Sequence, residues 1–245
     1  MAKKWYIGCS GYYYKDWKEV FYPKGLPQTK WFDFYCEHFN TLELNVTFYR
    51  FPSLNVLQNW YRKAPDDFIF SVKVPKAITH ESRFEGSQSL AMEFYDMLSL
   101  GLAEKLGPVL YQLPPSITYT PEMLEAIISH IDENFKNVIE FRHISWWRKE
   151  VIQTLTDRGI SFCGVSFPGL IADVMTNTPT AYYRFHGVPK LYYSEYDDAF
   201  LEKVVQTLHG DKKVKEAFLY FNNTAAAAAL QNARYVQELV DAQGW

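Results

Sequence analysis

The stretch Ala181-Tyr182-Tyr183-Arg184-Phe185-His186 reads as a β-strand with two unlike faces. Successive strand side chains point to opposite sides, so Tyr182, Arg184 and His186 share one face while Tyr183 and Phe185 share the other. Titratable groups on one face of an apolar strand are expensive to bury unless they are paired or used. The same alternation recurs through the chain. Glu43, Asn45 and Thr47 oppose Leu42, Leu44 and Val46, and Ser71 and Lys73 oppose Phe70, Val72 and Val74. Gln112 opposes Tyr111 and Leu113, and Glu140 and Arg142 oppose Ile139 and Phe141. Tyr220 and Asn222 oppose Leu219 and Phe221, while Ser10 shares its parity with Gly8 and Tyr6.

Eight runs of this kind are expected as strands: Trp5–Cys9, Thr41–Thr47, Phe68–Val74, Val109–Leu113, Val138–Arg142, Ser161–Ser166, Ala181–His186 and Ala217–Asn222. Stripes at helical spacing lie between them, such as Phe32/Tyr35/Cys36/Phe39 and Met123/Leu124/Ile127/Ile128/Ile131. Thr120-Pro121 reads as a cap followed by proline at the first helical position, and Gly159 as a C-cap. The sixth unit is weak, because Phe167–Pro179 is short and carries Pro168, Gly169 and Pro179. Alternating β and α elements predict an α/β fold, a (β/α)8 TIM barrel with its sixth helix short or missing. One domain over residues 1–245 is expected. A doubly wound open sheet is the rival, disfavoured because no glycine-rich phosphate fingerprint follows a strand. The run Ala225–Ala229 is expected to start the last helix.

Composition narrows the function classes. The 245 residues are 48% hydrophobic and 22% charged, which excludes wholesale disorder. A net charge of −3 excludes binding of nucleic acid by bulk positive charge, although not a local basic cleft. Cys9, Cys36 and Cys163 have no metal-ligand spacing and are expected as reduced, mostly buried thiols. The first residues run straight into a strand-like segment without the apolar stretch of a signal peptide, so a cytoplasmic protein is expected. No apolar run approaches the ~18 residues that span a bilayer. Aromatic residues make up 18% of the chain and concentrate beyond the strands: Tyr12, Tyr13, Tyr14, Trp17, Phe21 and Tyr22, then Trp146 and Trp147, then Tyr192, Tyr193 and Tyr196. They suit stacking on sugars or bases, or packing of the loops onto the rim.

Several segments together resemble the YecE-like family, domain of unknown function 72. They are Ile7-Gly8-Cys9-Ser10-Gly11-Tyr12, Glu43-Leu44-Asn45-Val46-Thr47-Phe48-Tyr49-Arg50-Phe51-Pro52, and Lys73 with Ile78-Thr79-His80. Leu106-Gly107-Pro108, Gln112-Leu113-Pro114-Pro115, Glu140-Phe141-Arg142-His143, Arg184-Phe185-His186-Gly187 and Phe221-Asn222-Asn223 continue the series in order. The resemblance implies a TIM barrel and no particular activity. After Asn223 the family pattern has a glycine-containing turn, where this chain has Thr224 and five alanines.

In a TIM barrel, inward residues at the C-terminal strand ends form the active-site mouth. Lys73, Arg142 and Arg184 then suggest an anionic ligand, carboxylate or phosphate. Against this stands a self-neutralised network in which Glu43 and Glu140 pair with two of the cations. Glu43, Glu140 and His186 are the expected catalytic acid–base groups. Ser10, Tyr12, Asn45, Lys73, His80, Gln112, Arg142, His143, Trp147, Arg184 and Asn222 are the expected substrate-binding groups, and Thr224 is expected to cap the last helix near the same rim. No cofactor is expected, and the neighbouring cations disfavour a divalent metal. The expectation is an enzyme, a lyase, isomerase or hydrolase, acting on a small anionic or phosphorylated substrate. The alternatives are a nucleic-acid phosphodiesterase or nucleic-acid-binding barrel, and a non-catalytic ligand-binding module.

Overall fold

The computed structural model describes residues 2–245. All the strand pairings resolved are parallel, and the strands form two sheets. The first sheet has the order β1-β9-β8-β7: Lys4–Cys9, Glu216–Phe221, Thr180–Phe185 and Gly164–Ser166. The second has the order β2-β3-β4-β5-β6: Thr41–Leu44, Ile69–Lys73, Leu106–Gln112, Asn137–Glu140 and Ser161–Phe162. The α-helices are α1 (Trp31–Cys36), α2 (Val46–Tyr49), α3 (Leu54–Lys63), α4 (Gln88–Leu102), α5 (Pro121–Ile128), α6 (Lys149–Asp157), α7 (Asp198–Gly210) and α8 (Ala228–Gln243). The packing divides the chain into two compact units, Met1–Glu43 with Cys163–Trp245, and Leu44–Phe162. No described helix is long and apolar enough to cross a membrane.

In the first unit, register lines the strands up in layers. Tyr6, Phe218 and Tyr182 are partners across β1, β9 and β8. Their rings stack, with centroids 4.5 Å apart for Tyr6–Phe218 and 6.2 Å for Tyr182–Phe218. One layer nearer the C-terminal ends, Gly8, Tyr220 and Arg184 are partners. Gly8 is required there, because a Cβ would lie 2.3 Å from the Thr41 carbonyl oxygen. The aromatic layer thus floors the polar one. α7 begins at an Asp197 cap, whose carboxylate accepts from the Phe200 N–H at 2.8 Å.

In the second unit, Gln112 and Glu140 are register partners on β4 and β5. α5 begins as its sequence predicts, with Thr120 accepting from the Met123 N–H and Pro121 in the first turn. Gly159 follows α6 with φ +67°, the left-handed conformation of a helix stop. α3 and α4 pack closely enough that a Cβ on Gly101 would meet the Leu57 side chain at 2.4 Å.

Three expectations need correction. The strand predicted over 41–47 ends at Leu44, and the chain coils into α2. The Thr47 hydroxyl takes up the Leu44 and Lys73 carbonyls, at 2.9 and 2.6 Å, where a ladder would otherwise continue. The run 161–166 is broken at Cys163, with β6 in the second sheet and β7 in the first. A Cβ on Gly164 would stand 2.5 Å from the Tyr183 ring, so glycine permits the start of β7. No helix lies between β7 and β8, so the sixth helix, expected to be short or missing, is missing. Finally, the alanine run does not simply start α8. Ala226 and Ala227 have φ of 52° and 66°, and the helix begins only at Ala228. Thr224 makes no side-chain cap there, because a kink intervenes.

Candidate functional site

The first unit gathers Ser10, Glu43, Tyr182, Arg184, His186 and Asn222 at the C-terminal ends of its strands. Arg184 Nη2 donates to Glu43 Oε2 at 2.7 Å, and the Tyr182 hydroxyl donates to Oε1 at 2.8 Å. Both ions are almost fully buried. Burial alone would raise the Glu43 pKa, but the Arg184 charge and hydrogen bond outweigh it and hold the carboxyl below its ordinary value. Ser10 and Tyr182 act in the same direction. The Ser10 hydroxyl is buried and makes no hydrogen bond of full geometry, yet it still helps to keep Glu43 charged. Glu43 is therefore a fixed anion that orients Arg184. In the layer of Arg184, the Tyr220 hydroxyl lies 2.5 Å from Thr41 Oγ1.

His186 is fully buried, one step beyond β8. Its Nδ1 lies 2.8 Å from Asn222 Nδ2, and Arg184 Nη1 approaches Nε2 at 3.5 Å. A guanidinium only donates, and an amide can turn either end to a neighbour. Both contacts are satisfied when Nδ1 carries the proton, Asn222 turns its oxygen to it and Nε2 keeps its lone pair. That state is an imidazole base held by a fixed amide and a fixed cation.

The second unit gathers Lys73, His80, Gln112, Glu140 and Arg142. Lys73 Nζ donates to Gln112 Oε1 at 2.7 Å and lies 3.8 Å from the centroid of the Phe48 ring. Arg142 Nε pairs with Glu140 Oε1, the arginine nearly buried and the glutamate wholly so. The Phe48 ring also meets His80 edge to face, with centroids 4.9 Å apart. His80 sits on a π-helical turn, Ala77–Glu81, beyond β3. Burial first, then the charges of Lys73 and Arg142, depress its pKa to about 4. His80 is a neutral donor at physiological pH.

The remaining expected residues have distinct places. Asn45 is half-buried at the entry to α2, its carbonyl accepting the Phe48 N–H at 3.1 Å. His143 caps a short 3-10 turn, accepting from the Ser145 N–H at 3.2 Å. Trp147 is half-buried, and its Nε1 is enclosed without a hydrogen-bond partner. Tyr12 packs on Phe32 of α1, with centroids 5.2 Å apart. In that first loop Trp17, Phe21 and Tyr22 are buried, and Tyr22 stacks on Trp31 at 4.4 Å, so these rings anchor the loop rather than offering faces to a ligand. Trp146 is buried on Phe141, whereas Tyr192 and Tyr193 are exposed. Among the described residues, no group of three or more His, Cys, Asp or Glu side chains is placed to hold a metal ion.

Two members of these clusters were missing from the expected site. Tyr182 shares the parity of Arg184 and His186, so its contact with Glu43 was within reach of the alternation. Phe48 had no such signal, because the coil of α2 re-aims it.

Comparison with known proteins gives one consistent result. Residues 6–244 match the family model described as "Protein of unknown function DUF72". The curated UPF0759 protein YecE of Escherichia coli is 32% identical over 58% of this chain, and the match spans 56% of that protein's length. UPF0759 protein YunF of Bacillus subtilis is 25% identical over 96% of this chain and 94% of its own. The crystal structure of a DUF72 family protein from Thermotoga maritima superposes with a TM-score of 0.87 at 29% identity, covering 97% of this chain and 99% of that one. A fusion protein described as a xylose isomerase-like TIM barrel joined to 4-hydroxyphenylpyruvate dioxygenase gives 0.50 at 12% identity, covering 99% of this chain and 45% of that one, a likeness of fold alone.

Proposed function

This chain belongs to the DUF72 family, and on that premise we propose that it is an enzyme acting by acid–base chemistry on a small anionic or phosphorylated substrate. The observation that carries the reading is that Lys73 and Arg142 lie close enough to His80 for their charges, after burial, to lower its pKa. Cations held at strand ends beside a neutral donor make a cradle for phosphate or carboxylate. Gln112 and Glu140 fix the directions of Lys73 and Arg142. On the first sheet His186 is the proton-transfer group, with Asn222 setting its tautomer and Arg184 stabilising negative charge beside it. The finer fold belongs to the same proposal: a closed (β/α)8 barrel, supported by the likeness to a xylose isomerase-like TIM barrel.

The test is titration with inorganic phosphate, followed by thermal unfolding and by the histidine ring signals in NMR. Phosphate at about a hundred times its dissociation constant should add roughly 2.7 kcal/mol of stability. It should also raise the His80 pKa from about 4 toward the ordinary 6.5, because a bound anion cancels the field of the two cations. Lys73→Met should abolish both effects. Phosphate, sulfate and small carboxylates that all leave stability and the His80 titration unchanged would overturn the reading.

A further inference from the structure

A concavity lies in the first unit, on the other side of Phe167 from His186. It has a volume of about 310 Å³, at the small end of the ~300–1,000 Å³ typical of ligand pockets. One wall is the segment after β7, with Phe167, Leu170 and Ala172, and the other is the segment after β8 with the start of α7. The second wall contributes Glu195, Tyr196, Asp197 and Phe200. Tyr196 and Phe200 lie nearly parallel, with centroids 5.2 Å apart and planes inclined by 18°. Phe167 separates the cavity from the acid–base imidazole, its ring edge-on to His186 at 5.5 Å.

The lining has a definite chemical character. It holds three aromatic rings, aliphatic side chains, two carboxylates and no lysine or arginine. The N-terminus of α7 brings a partial positive charge to this wall. Asp197, which caps the helix, and Asp198 in its first turn offset it, and the Glu195 charge remains. A hard metal ion wants an oxygen cage, whereas this surface is mostly carbon and Asp197 already accepts the Phe200 N–H. An anion would face only like charge. Aromatic faces beside carboxylates are the surroundings that favour a cation wrapped in carbon.

We propose that this cavity binds a small organic ammonium ion, its alkyl groups against Phe167, Tyr196 and Phe200 and its charge answered by Glu195 and Asp197. The site takes a ligand of opposite sign to the anion cradle and stands independently of it.

Isothermal titration calorimetry of the full chain at low ionic strength tests this, with choline as probe and its neutral isostere 3,3-dimethylbutan-1-ol as control. Choline should bind at least about tenfold more tightly than the alcohol, the size of a partly desolvated cation–π contact with an ionic supplement. Glu195 is exposed and Glu195→Gln removes charge without volume, so the affinity for choline should fall about threefold to fivefold. Ala172 is also exposed, and Ala172→Trp should fill the cavity and abolish binding, with the circular dichroism and melting curve of the parent retained. Equal affinity for the alcohol would make the cavity merely apolar. Choline binding that survives in folded Ala172→Trp would place the ligand elsewhere. Either result overturns the proposal, as does the absence of heat with choline into the millimolar range.

Discussion

Glu43 and Arg184 each lie in surroundings that would expel a lone charge, and each is the other's reason for being there. Removing one partner of a buried pair leaves the other uncompensated, at a cost of about 3–5 kcal/mol. Glu43→Gln and Arg184→Met should each destabilise the protein by that amount in urea unfolding. The double variant should lose clearly less than the sum, because it leaves no bare ion. Additive losses would mean that the two groups act apart. The pair also sets an acid limit. The Glu43 carboxyl is held below its ordinary 4.5, so its contribution is complete above that value and is lost as pH falls through the folded-state pKa. Glu43→Gln should flatten the stability profile on that acid side.

At the scale of elements, legibility depended on whether a residue stayed on a ladder. Arg184, Gln112 and Glu140 lie inside strands, and period-two parity placed them correctly from sequence. His143 and Asn45 lie just beyond strand ends, where the chain turns into a helical segment, and His80 lies in the loop after β3, so parity does not place them. Thr47 and Val46 are β-branched and read as strand, yet the segment coils, with the one Thr47 hydroxyl proton shared between the Leu44 and Lys73 carbonyls. The break at Cys163 left one mark, Gly164, a glycine inside an otherwise strand-like run. The alanines before α8 are the opposite case: helix propensity argued for a helix, and closure of the preceding turn won. An alanine in the left-handed region carries about 1–2 kcal/mol of strain. Ala226 is exposed at φ 52°, so Ala226→Gly should raise stability by about 1 kcal/mol in chemical denaturation. A loss of similar size would show that the kink is not strained.

For the molecule as a whole, a net charge of −3 surrounds a locally positive cradle. Few charges then take part in holding an anion, and the salt response is correspondingly shallow. Raising sodium chloride from 50 to 200 mM should weaken phosphate binding by less than about tenfold, against the ~10³–10⁵ expected where six to ten backbone phosphates are contacted. A steep dependence in the titration would point to an extended nucleic-acid ligand instead. One other feature bears on the molecule's internal clock. Where a helix would cover β7 and β8, an irregular chain over residues 167–179 does so, held by such contacts as the Tyr183 hydroxyl on the Ala172 carbonyl at 3.4 Å. Amides there have no helical ladder to break before water reaches them. In deuterium this seam should exchange ahead of the flanking strands, the first part of its unit to open. Any occupant of the neighbouring aromatic cavity would act as a latch on it, and would register as slowed exchange along that segment.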